Sequence, residues 1–162
     1  LADILLTAWG NTSRGDDALG PLLLRHLQAW ARTVHLAQHF EWVEDFQLQI
    51  EHALNLEGKT LALYVDAGQN TPAPFSFAPI FPLKQAWHTT HAMPPESVLA
   101  VFERMAHKPP CPAFTLCLKG ETFGIKEGLS ATAQNHLEAA QAFAKTLLQN
   151  PNPTAWNALA SP

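Results

Sequence analysis

The chain has 162 residues, of which 47% are hydrophobic and 15% charged, with a formal net charge of −4. That length suits one domain with a core large enough to stand without staples, and the composition excludes a disordered chain. The acidic balance and the lack of any basic stripe argue against a nucleic-acid partner. No apolar run reaches the length of a membrane span, and the N-terminus lacks a basic-then-apolar signal pattern, so a cytoplasmic location is expected.

In chain order, the apolar run Ile4–Trp9 reads as a buried strand and the periodic segment Leu19–Ala31 as a helix. The patch Phe40–Phe46 is expected to form the second strand. Gln47–Leu56 follows as a short amphipathic helix closed by Gly58. Thr60–Asp66 is continuous and apolar, as a central parallel strand should be, and ends in the turn signal Asp66-Ala67-Gly68. Prolines flank Phe75–Phe81 and confine it to a sheet edge. Pro94-Pro95-Glu96 opens a helix running through Leu99, Phe102 and Met105, with proline in the first turn where it is best tolerated.

Cys111–Leu118 is the fifth strand candidate. Its two cysteines, Cys111 and Cys117, fit no CxxC spacing and are expected to be buried thiols that do not bond each other. Ala131–Leu148 is the longest helix, stopped before Asn150-Pro151. These elements predict an α/β three-layer sandwich, a mostly parallel twisted sheet of about five strands with helices on both faces. A single domain is expected over residues 1–149, with 150–162 an irregular C-terminal tail.

The stretch between first strand and first helix, Gly10-Asn11-Thr12-Ser13-Arg14-Gly15-Asp16-Asp17-Ala18-Leu19-Gly20, carries the chemistry. Asp16 and Asp17 sit where a helix N-terminus favours negative charge, so a cap and a dipole partner is the plain reading. Two adjacent acids exceed what one cap requires, and they fall at the carboxyl end of a strand, where open α/β sheets bind ligands. Asp66 ends the third strand in the same way, although alone it could simply cap a turn. His91 precedes the Pro94 helix, with His88 as its rival among eight histidines. Carboxylates and imidazoles converging from separate elements suit a divalent transition metal.

The opening motif, Gly-Asn-x-x-x-Gly-Asp-Asp-x-Leu-Gly, resembles that of the nickel–iron hydrogenase maturation endopeptidases. With the loop Gly120–Gly124 and Gly128-Leu129-Ser130 before the last helix, the resemblance spans roughly residues 3–148. It implies a nickel-dependent, aspartic-type endopeptidase that trims the C-terminal extension of the immature hydrogenase large subunit. The family's metal-binding positions fall here on Asp17, Asp66 and His91, with Asp16 in a secondary role as ligand holder or base. The implied nickel is supplied by the immature large subunit and serves as the recognition element. One departure is the turn after the second strand, Asp45-Phe46-Gln47-Leu48, where the family carries an acid followed by Gly and Thr. That departure implies a divergent hydrogenase partner.

No Gly-x-Ser-x-Gly elbow, His-Glu-x-x-His helix or P-loop lysine is present. A non-catalytic assembly factor with the same fold, binding the immature subunit and nickel without cutting, is the alternative.

Overall fold

The computed structural model describes residues 2–84 and 93–160. Five strands, β1 (Ile4–Trp9), β2 (Phe40–Asp45), β3 (Leu61–Gly68), β4 (Phe75–Ile80) and β5 (Ala113–Lys119), form one sheet in the order β2-β1-β3-β5-β4. β2, β1, β3 and β5 run parallel, and β4 is antiparallel at the edge beside β5. The flanking prolines had excluded β4 from the centre, and Pro79 inside it is tolerated because an edge strand has one unpaired side.

Alternation along the central strands divides the core in two. Ile4, Leu6 and Ala8 of β1, with Leu61, Leu63 and Val65 of β3, face one layer of helices. That layer holds α1 (Leu19–Thr33) and α3 (Ala131–Gln149). α1 buries Leu19, Leu23, Leu27 and Ala31, one stripe at helical spacing. Leu5, Ala62 and Tyr64 face the opposite way, against α2 (Pro95–Ala106) and a 3-10 segment, Ile50–Leu56. The expected α/β three-layer sandwich is therefore the fold.

Four local expectations are corrected. The short helix expected near Gln47–Leu56 is 3-10 in character, entered through a reciprocal cap between Gln49 and His52. β5 begins at Ala113, because the Pro-rich approach 109–112 offers few ladder donors; Cys111 therefore precedes the strand. Cys111 and Cys117 are both half-buried free thiols. The expected irregular tail instead contains a further helix, α4 (Pro153–Leu159), capped by the Asn152 side chain accepting from the Ala155 amide at 2.8 Å. Its cause is Trp156, wholly buried with ring contacts to Phe77 and Phe114. The Trp156 indole N–H donates to the Leu147 carbonyl at 3.0 Å, so its one polar atom is satisfied in the core.

Candidate active site at the sheet switch point

The chain leaves β1 in one direction, through α1 to β2, and later returns to the other side of β1 as β3. The crevice outside the carboxyl ends of β1 and β3 is thus the topological switch point, where doubly wound sheets hold their ligands. β1 and β3 pair only as far as Ala8 and Val65, while β3 continues to Gly68 against β5 alone. Asp66 is the first residue beyond the point where β1 peels away.

The peeling is enforced by Gly10. Its φ of +151° lies in a region that side chains disfavour, and a Cβ there would come within 2.1 Å of the Asp17 carbonyl oxygen. Its amide donates to the Asp45 carbonyl at 3.1 Å, so the turn also stays fastened to the end of β2. Asn11 then folds the chain back: its side-chain oxygen accepts from the Ser13 amide at 2.9 Å, and its carbonyl accepts from the Arg14 amide at 3.0 Å. The Asn11 amide donates to Asp17 Oδ2 at 2.7 Å, which holds that carboxylate across the mouth of the turn.

Gly20 supplies the second close approach. A Cβ on it would lie 3.0 Å from the carbonyl oxygens of both Trp9 and Val65 and 3.5 Å from the Asp66 Cα. The start of α1 therefore rests directly on β1 and β3, bringing the Asp17 turn to Asp66.

Asp66 senses the charge of Asp17. Burial raises the Asp66 pKa to about 7, and the charge of Asp17 pushes in the same direction, only partly opposed by the Ala67 amide that donates at 2.7 Å. Cys117, the register partner of Asp66 on β5, has its thiol pKa raised by burial and then by Asp66, against a hydrogen bond with Thr71. Gly68 makes room for this thiol, since a Cβ there would meet Cys117 Sγ at 3.1 Å.

Asp16 differs from its neighbour. It is wholly buried, and both its oxygens are occupied. Oδ2 accepts from the Glu121 amide (2.7 Å), the Thr122 amide (3.0 Å) and the Ser130 hydroxyl (2.8 Å), while Oδ1 accepts from the Ser130 amide (2.9 Å). Burial alone would raise its pKa, yet the Ser130, Thr122 and Glu121 donors outweigh burial and hold it below the ordinary carboxylate value. The secondary role of base or ligand expected for Asp16 thus meets a carboxylate whose acceptors are already engaged.

His91 and His88 lie outside the described residues. The chain is described again from Met93, whose amide donates to the Leu48 carbonyl at 3.3 Å on the loop after β2. On that loop, the Gln49 amide donates to His52 Nδ1 at 2.8 Å, which leaves His52 Nε2 to face Asp45 Oδ2 at 3.2 Å. This pair gives no sequence signal beyond the proximity of an acid and a histidine. Among the described residues no group of three or more His, Cys, Asp or Glu side chains is placed to hold a metal ion.

No family model matches the chain, and no curated protein matches it. Solved structures do. The nickel–iron hydrogenase maturation protease HycI from Thermococcus kodakarensis superposes with a TM-score of 0.69 at 19% identity, covering 92% of this chain and 94% of that one. The hydrogenase maturating endopeptidase HybD from Escherichia coli gives 0.61 at 16% identity, over 91% and 93%. The endopeptidase HycI from Escherichia coli gives 0.61 at 20% identity, over 91% of each chain.

The fold is therefore that of the hydrogenase maturation proteases over nearly the whole chain.

Proposed function

We propose that the protein is a hydrogenase maturation endopeptidase of the cytoplasm. It removes the C-terminal extension of a nickel-loaded large subunit, with Asp17, Asp66 and His91 as the residues that engage the nickel. The observation that carries this reading is the pairing of Asp17 and Asp66 at the switch point of a maturation-protease fold. In chemical terms, the donor set fits a cation that arrives with its own ligands. Two carboxylates without a neutralising cation favour a divalent ion, but among the described residues they do not form a closed resident site. In this reading the nickel belongs to the substrate, carried in by the immature large subunit.

Burial, with the charge of Asp17 beside it, raises the Asp66 pKa to about 7, and an approaching cation would draw it back down. Proton loss from Asp66 then accompanies docking, and affinity depends on what the subunit carries. Asp17, fixed by the Asn11 amide, presents its second oxygen without reorganisation. Bound in this way, the nickel would supply Lewis-acid polarisation of the scissile carbonyl or a water of lowered pKa.

The test is incubation of the protein with a nickel-loaded large subunit that still carries its extension, read by mass spectrometry. Release of the C-terminal peptide supports the endopeptidase reading. Stable binding without any mass loss replaces it with the assembly-factor reading.

A further inference from the structure

The buried acid next to Asp17 joins two distant parts of the chain. Three backbone hydrogen bonds already run between the opening turn and the segment before α3: Asp16 N–H to the Thr122 carbonyl at 2.7 Å, Gly15 N–H to the Glu127 carbonyl at 3.1 Å, and Lys126 N–H to the Ser13 carbonyl at 2.6 Å. The Asp16 carboxylate adds four more bonds to Glu121, Thr122 and Ser130. Ser130 is also the N-cap of α3. Its hydroxyl donates to Asp16 and accepts from the Ala133 amide at 3.1 Å, so the start of α3 shares the same anchor. The fit is close: a Cβ on Gly120 would lie 3.0 Å from the Asp16 Cβ.

We propose that Asp16 is the positioning residue of the site, a buried clamp that fixes segment 120–130 to the opening turn and thereby sets the backbone that presents Asp17. The importance of Asp17 rests on the endopeptidase reading, whereas the clamp itself does not. Asp16 and Asp17 share a peptide unit, and the Asp17 amide is bonded back to the Arg14 carbonyl at 3.0 Å. A rotation at Asp16 therefore moves the Asp17 carboxylate, together with its bond to the Asn11 amide. Four donors converge on two oxygens, an arrangement only a carboxylate satisfies in full. In an amide side chain, one orientation sets the NH2 against the Ser130 amide. The other sets it against the Glu121, Thr122 and Ser130 hydroxyl donors.

Asp16→Asn tests this with almost no change in volume, read residue by residue as amide hydrogen exchange. Exchange at Glu121, Thr122 and Ser130 should accelerate by roughly tenfold or more, as a local opening requires. Asn11, whose amide reports the position of Asp17, should accelerate with them, while Leu63 and Leu116 in the sheet interior hold their protection. Tail release from the nickel-loaded subunit should fall in kcat by roughly 10- to 100-fold with KM little changed, the signature of a displaced rather than a missing binding group.

Acceleration confined to Glu121, Thr122 and Ser130, with Asn11 and kcat unaffected, would overturn the proposal and leave Asp16 as a loop staple. If Asp16→Asn fails to fold, Ser130→Ala removes one donor and should accelerate Asn11 exchange in the same direction; an unchanged Asn11 rate there overturns it equally. If the wild-type protein releases no tail at all, the exchange pattern still decides the clamp, and only the endopeptidase reading fails.

Discussion

Gly20 lies so close to Asp66 that a methyl group on it would reach within 3.5 Å of the Asp66 Cα, after meeting the Trp9 and Val65 carbonyl oxygens at 3.0 Å. The last glycine of the opening motif is thus a spacer that sets the approach of α1 to β3, and so of Asp17 to Asp66. Gly20→Ala adds good helix propensity but forces backbone apart. The contact dominates, so the variant should lose about 1–3 kcal/mol in a urea titration, as overpacked sites do. Its tail-release activity should fall further than that stability loss explains.

Asp66 and Asp16 predict opposite pH dependences. The Asp66 pKa is raised to about 7 in the folded state, so the folded protein binds the extra proton between the ordinary carboxylate range and neutrality. Its contribution therefore favours the native state at low pH and declines as pH rises through that window. Asp66→Asn should remove this decline and leave the variant more stable than the parent at pH 8, by an amount on the order of 1 kcal/mol or more. Asp16 behaves conversely, because its folded pKa is lowered: it stabilises above the ordinary carboxylate value and ceases to as pH falls through its folded pKa. Stability curves of the two Asn variants against pH check both signs.

Trp156 anchors α4 against Phe77, Phe114 and the Leu147 carbonyl. Trp156→Ala empties a fully buried aromatic site and should cost about 3–5 kcal/mol, the range for such truncations. Thermal and urea unfolding measure it. Activity per folded molecule at the distant carboxyl edge should stay near the parent's.

Much of this architecture was legible because the central strands are apolar throughout and the prolines around Phe75–Phe81 allow only an edge position. Asp17 and Asp66 were candidates in the sequence because one follows the first parallel strand and the other lies in the carboxyl-terminal half of the third, and the winding rule carries such strand ends to one crevice. The helix at Pro153–Leu159 was not, since a single Trp156 in a Pro- and Asn-rich stretch gives no periodicity. Nor was the duty of Asp16: its partners lie 105 to 114 residues away, and no local pattern announces contacts at that separation. Side by side in sequence, Asp16 and Asp17 look equivalent. Burial separates them.

Asp17→Asn distinguishes ligand from cap. The amide oxygen can still accept from the Asn11 amide, so the turn survives and the unfolding midpoint should move little. The charge needed to engage a divalent ion is gone, and tail release should drop by at least about 100-fold, the scale of losing an electrostatic contact at the reacting centre.

The central claim is that nickel in the substrate is what Asp17 and Asp66 engage. The most direct measurement compares tail release from one large subunit prepared with and without nickel, both incubated with this protein and followed by C-terminal mass. The account predicts release from the nickel-loaded subunit and none from the nickel-free one. Release from both at comparable rates would contradict it.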